Sequence, residues 1–191
     1  RLLAQENRIL WVNSLGNRAP TLSTHDLRRA VGKLRAAIST AREVVREVEK
    51  NIFVLAPLAV PLFGSEAIRQ LNRVVLEAQV GRAMRHLRFS RPIVWSFLPS
   101  AEAIASSLEA ELLIYHCVDE FSAFSQTPGR AIAEAEARLA RSADLVITSA
   151  ERLLQSKRAL NPNTCLVRHG VDFAHFSRAL DPEVGVPEDV A

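Results

Sequence analysis

Four short polar stretches in this sequence directly follow apolar runs, and they hold the residue types most able to do chemistry. They are Ser96-Phe97-Leu98-Pro99-Ser100, Val118-Asp119-Glu120-Phe121-Ser122, Thr148-Ser149 and His169-Gly170-Val171-Asp172. In an open parallel sheet, ligands sit in the crevice beyond the carboxyl ends of the strands, so such positions can face a substrate. Asp119 and Glu120 can accept hydrogen bonds from ligand hydroxyls, with Ser96, Pro99, Ser100, Ser149 and His169 as further candidate lining. Each has a structural alternative. Asp119 and Glu120 also suit a helix-capping or solvated acidic turn, and Ser149 suits a helix cap.

Other patterns point to narrower chemistry. His169, Asp172 and His175 form an H-x-x-D-x-x-H run, but it lies where a strand end enters an irregular tail, and no metal site is expected from it. Arg82, Arg85, Arg88 and Arg91 recur every three residues around the end of a long helix, as a solvated face or as a stripe contacting anionic lipid or phosphate. None of the seven glycines is spaced as G-x-G, so the dinucleotide fingerprint is absent. Gly32-Lys33-Leu34 lacks the rest of a phosphate loop, and there is neither a G-x-S-x-G elbow nor an H-E-x-x-H helix.

The elements that must position these residues alternate between short apolar runs and longer helical patterns, which implies βαβ units and a mostly parallel sheet with helices on both faces. Six strands are expected: Ile9 to Asn13, Ile52 to Ala56, Pro92 to Phe97, Glu111 to Cys117, Asp144 to Thr148 and Thr164 to Arg168. Several are almost wholly apolar, as strands covered on both faces are. Ser23 can cap a helix carrying Leu27, Val31, Leu34 and Ile38, and Ser65 one running towards Phe89. Pro99 opens a short helix through Leu108, Thr127-Pro128 opens another to Arg141, and Ser149 caps the next. From Phe176 the chain turns Pro- and acid-rich, and 177–191 reads as a linker after a domain spanning 1–176. The opening Arg1-Leu2-Leu3-Ala4-Gln5 reads like the end of a helix leading into the strand at Arg8, so further chain is expected upstream.

Composition sets the frame. The 191 residues are 48% hydrophobic and 24% charged, which suits one globular domain. A net charge of +3 is too slight for a nucleic-acid-binding composition, though phosphorylated ligands or an anionic membrane surface fit it. Cys117 and Cys165 form no C-x-x-C pair, and a reducing, cytoplasmic setting is expected. The longest apolar run, Phe53 to Phe63, is short for a bilayer span and holds Pro57 and Pro61.

Three motifs in order carry a family resemblance: Tyr115-His116-Cys117-Val118-Asp119-Glu120-Phe121-Ser122, then Ala143-Asp144-Leu145-Val146-Ile147-Thr148-Ser149, then Asn161-Pro162-Asn163 through His169-Gly170-Val171-Asp172 and Phe176. Their order and spacing resemble family 4 glycosyltransferases of the GT-B fold, and within them bacterial enzymes of teichuronic acid-type and cell-surface polysaccharide biosynthesis. The resemblance runs from about Ile9 to Phe176, with His169 where the family usually has asparagine. It implies a Rossmann-like, acceptor-side half of a retaining transferase, its first strand missing. The acceptor is a glycan or lipid-linked molecule, and the nucleotide-sugar donor is bound mainly by a second domain after the linker. The family's paired glutamates, separated by seven residues, do not occur here. Positive groups and helix-end amides, rather than a metal ion, stabilise the departing nucleotide diphosphate in such enzymes. The resemblance therefore implies no cofactor and no nucleic-acid partner, assigns no catalytic residue to this chain, and allows peripheral contact with the cytoplasmic membrane face. A GT-B nucleotide-sugar epimerase and a non-catalytic glycan- or partner-binding module are the alternatives.

Overall fold

The computed structural model describes residues 1–13, 45–57, 66–123, 129–180 and Gly185. The helix expected to begin at Ser23, the cap at Ser65 and the Thr127-Pro128 helix opening lie outside them. Strands β1 (Ile9–Val12), β2 (Val45–Glu49) and β3 (Ile52–Leu55) form a three-stranded sheet in the order β1-β3-β2. Strands β4 (Ile93–Ser96), β5 (Leu112–Cys117), β6 (Leu145–Thr148) and β7 (Thr164–Leu166) form a four-stranded, all-parallel sheet in sequence order. The helices are α1 (Glu66–His86), α2 (Glu102–Ala105), α3 (Gly129–Ser142), α4 (Glu151–Arg158) and α5 (Phe173–Ser177). This is the α/β class that the alternation implies, a parallel sheet flanked by helices in a Rossmann-like arrangement.

The core follows from strand alternation. In β5, Leu113, Tyr115 and Cys117 share one face, and they pack with Val146 of β6 against Ala105, Leu139, Ala140 and Leu153 of the helices α2, α3 and α4. A second cluster joins Leu55 of β3 to Val80 and Ala83 of α1, with Leu10 and Met84 against it. The first sheet touches the segments flanking β4. An Arg8 guanidinium nitrogen donates to the Leu87 carbonyl oxygen at 2.6 Å, and the Trp11 and Phe97 rings meet at 6.3 Å.

Several expectations need correction. Strand β2 was not expected. It pairs antiparallel with β3 through a tight turn in which Asn51 adopts φ 66°, a conformation asparagine tolerates well. Its sequence, Val-Arg-Glu-Val-Glu, lacks the period-two alternation of a half-buried strand because the pairing shifts register between Glu47 and Glu49. The long helix ends at His86, so Arg88 and Arg91, with φ 55° and 46°, lie beyond it, and the three-residue spacing does not make one helical stripe. Ser149 is not the cap of α4. Ala150 is, with no side-chain hydrogen bond, because the Ser149 hydroxyl donates to the Val118 carbonyl oxygen at 3.0 Å. Helix α5 ends at Ser177, and a 3-10 turn follows at Arg178–Leu180.

Candidate functional site

The carboxyl ends of β4 to β7 bring the candidate polar residues to one edge of the sheet. Parallel register aligns Ser96 with Tyr115 and Cys117 with Thr148, so the turns after β4, β5 and β6 emerge side by side. Ser149 ties two of these turns together through its bond to Val118 and through its own N–H, which donates to the Cys117 carbonyl oxygen at 3.2 Å. Asp119 is exposed, and its Oδ1 accepts the Glu120 N–H at 2.8 Å.

Glu120 is held from two sides. Its Oε1 accepts from the Ser122 hydroxyl at 2.7 Å, and its Oε2 from the Lys157 ammonium at 3.4 Å. Burial alone would raise its pKa, but those two donors outweigh burial and hold the carboxyl below its ordinary range. Lys157, whose side chain is only 4% exposed, reaches up from α4 and pairs with Glu136 of α3 at 2.8 Å. Burial opposes its charge, yet Glu136 and Glu120 keep it protonated and push its pKa up. Glu136 also accepts from the Tyr115 hydroxyl at 2.6 Å, and the Cys117 sulfur stands 3.5 Å from the same oxygen. Burial pushes the Tyr115 hydroxyl far up and the Cys117 thiol to about 11, so both stay protonated at neutral pH. A continuous polar chain thus runs from the helix-covered core to the exposed turn after β5.

On the opposite face of the sheet, His116 packs against the Phe97 ring at 5.3 Å and the Trp95 ring at 6.1 Å. Both of its ring nitrogens are buried without a hydrogen-bond partner. Burial, and then the nearby His169, lower its pKa and keep the ring neutral. His169 itself is exposed, three residues past β7.

The remaining candidates differ in burial. Ser96 is buried and its hydroxyl donates to the Leu98 carbonyl oxygen at 3.2 Å. Pro99 is buried at the first position of a 3-10 turn, and Ser100 is exposed beside it. Asp172 accepts the His175 N–H at 3.0 Å as the cap of α5. Among the described residues no group of three His, Cys, Asp or Glu side chains is arranged to hold a metal ion. Arg82, Arg85, Arg88 and Arg91 are all exposed.

No protein-family model matches this chain. No match was found among curated proteins either.

Sequence reasoning passed over Tyr115, Glu136 and Lys157 as a connected group. A signal was present for two of them. Glu136 falls three, four and seven residues before Leu139, Ala140 and Ala143, on the apolar face of α3, and Lys157 follows Leu153 and Leu154 by four and three on the inner face of α4. An acid and a base on two inward-facing stripes of adjacent helices imply a buried pair.

Proposed function

We propose that this chain is the acceptor-side half of a retaining GT-B glycosyltransferase that moves a sugar from a nucleotide-sugar to a glycan or lipid-linked acceptor at the cytoplasmic face of a membrane. The observation that carries the reading is the turn after β5, where Glu120 is clamped by Lys157 and Ser122 while Asp119 stays exposed at the edge of the crevice. A turn with one carboxylate anchored and its neighbour exposed presents a preorganised acceptor of hydrogen bonds, which suits a hydroxyl-rich ligand. The order of the three sequence motifs adds the family. In this reading Asp119 hydrogen-bonds an acceptor hydroxyl, Glu120 and Ser149 hold the turn, and His169 borders the same edge. Donor binding and the chemistry of leaving-group departure belong to a second domain.

The test uses the protein that includes that second domain. A hydrogen bond from a hydroxyl to a charged group is worth about 1.5–3 kcal/mol, so Asp119→Ala should lower transfer roughly 10- to 150-fold with an unchanged melting temperature. Unchanged activity with a lowered melting temperature would make Asp119 structural and remove the main support for the reading.

The membrane part is tested separately. Arg82 and Arg85 on the last turns of α1, with Arg88 and Arg91 just beyond, each contribute about 1 kcal/mol near an anionic surface, enough for weak and salt-sensitive attachment. Among the described residues no helix is long and apolar enough to cross a membrane. Co-sedimentation with anionic but not neutral vesicles, lost at high salt and in a variant with glutamine at all four positions, is the expected result. Binding that persists in the variant removes these arginines from the proposal.

A further inference from the structure

Lys157 lies between two carboxylates in very different surroundings. Glu136, on α3, has a side chain only 4% exposed and accepts from the ammonium at 2.8 Å, whereas Glu120, in the turn after β5, has a side chain 41% exposed and accepts at 3.4 Å. An ammonium in the core needs a close carboxylate to stay charged, and Glu136 supplies it. Burial opposes the charge of Lys157, and Glu136 counters that burial more strongly than Glu120 does. Glu136 is fixed in turn by the Tyr115 hydroxyl, which donates to its other oxygen at 2.6 Å. The contact with Glu120 is therefore not what keeps Lys157 in the fold. It ties the turn after β5 to α4, 37 residues further along the chain.

The tie reaches Asp119 in two steps. Lys157 and the Ser122 hydroxyl hold the two carboxylate oxygens of Glu120, and the Glu120 N–H donates to Asp119 Oδ1 at 2.8 Å. On the other side of Asp119, the Val118 carbonyl oxygen accepts from the Ser149 hydroxyl at 3.0 Å. Asp119 thus lies between two fastened neighbours, and both fasteners come from one short stretch, Ser149 just before α4 and Lys157 in its last turn. An ion pair between two mobile surface side chains contributes little, because both must be ordered to form it. Here the cation is already ordered by Glu136, so only Glu120 gives up freedom.

We propose that Lys157 is a positioning residue for the turn after β5: anchored in the core by Glu136, it holds Glu120 and through Glu120 the direction of the Asp119 carboxylate. This role rests on the reading of that turn as the edge that meets the acceptor, and it adds how the carboxylate is set before the acceptor arrives, which lowers the ordering cost of binding.

Nitrogen-15 relaxation on the 191-residue chain tests it. Glu120→Ala cuts the tie and leaves the Lys157–Glu136 pair whole, while Lys157→Met with Glu136→Gln cuts it from the other end without stranding a charge. In both, order parameters at the amides of residues 119–122 should fall from about 0.85 to below about 0.6, and no further when the two sets of changes are combined. The Glu120→Ala chain should keep the native melting temperature and native order parameters in α3 and α4. Ser122→Ala, which removes the other partner of Glu120, should lower the turn's order parameters less than Glu120→Ala does. The Glu120 carboxyl carbon, followed by carbon-13 NMR, should titrate at higher pH once Lys157 is replaced, with Ser122 and Arg152 still favouring its charged form. The proposal is overturned by an ordered turn in Glu120→Ala, by loosening that spreads through α3 and α4 with a lowered melting temperature, by an equal fall in Ser122→Ala, or by an unshifted Glu120 titration. Should the double variant not fold, Glu120→Ala and Ser122→Ala decide between these outcomes. Native transfer by Asp119→Ala would instead remove the acceptor reading and leave these measurements of the tie as they are.

Discussion

At the scale of single residues, the buried ion pair is where the chain is most sensitive to change. Lys157 and Glu136 have side chains 4% exposed, so removing one partner leaves a charge in the core without compensation. Lys157→Met should therefore destabilise by about 3–5 kcal/mol, while Glu136→Gln combined with Lys157→Met should recover part of that loss, because no buried charge is then stranded. Denaturant unfolding of the two single variants and the double variant closes the cycle, and strictly additive losses would mean that the pair is not coupled. Cys117 adds a pH dependence. Its thiol pKa is raised by burial from the ordinary 9.0 to about 11, so between those values the unfolded chain has released a proton that the folded chain still holds. Stability is then intact below pH 9 and lost as pH rises towards 11, at up to about 1.4 kcal/mol per pH unit. Thermal melts from pH 8 to 11 should show this decline in the native chain and a shallower one in Cys117→Ala, and parallel curves would exclude Cys117 as its source.

At the scale of elements, the first residue of α3 sets where the turn after β5 can lie. A Cβ built on Gly129 would stand 2.8 Å from the Ser122 carbonyl oxygen, closer than real contacts allow, and that oxygen belongs to the backbone of the turn that holds Glu120. Gly129→Ala should displace the turn and destabilise by about 1–3 kcal/mol, the range for forced overpacking. Gly170→Ala is the matched control, since nothing lies within 4 Å of its added methyl. Melting temperatures that fall equally in both would place the effect elsewhere than the Ser122 contact. The strands show how far local pattern reaches. All six expected strands form, each within two residues of its expected ends, because continuous apolar runs such as Leu112–Cys117 have no other stable placement than a covered sheet. Strand β2 escaped notice because its charged residues sit on an edge strand, where long-range pairing with β3 rather than its own periodicity decides the conformation.

At the scale of the whole molecule, the division of labour proposed above makes a direct prediction. The 191-residue chain by itself should show no transfer from UDP-, GDP- or dTDP-sugars, because the groups proposed to stabilise the departing diphosphate lie outside it. Enzyme-dependent turnover by this chain, measured with labelled donor, would move the donor site into the half described above. The polar chain from Tyr115 through Glu136 and Lys157 to Glu120 ties the turn after β5 to the buried core.

The sequence by itself determined the α/β class, six of the strands and their mostly parallel character, and which polar stretches would follow those strands; the division into two sheets and the antiparallel β2 it did not. Those properties follow from hydrophobic periodicity and from chain connectivity, both of which are local. It could not tell Ser149 as a cap from Ser149 as a bond between turns, because the Val118 carbonyl that takes its proton is 31 residues away. Nor could it single out Lys157 as the group beneath Glu120, 37 residues apart in the chain and 3.4 Å apart in space. Tertiary structure decided these, since a buried donor must find its partner among whatever groups packing brings within reach, and packing joins residues that sequence spacing does not.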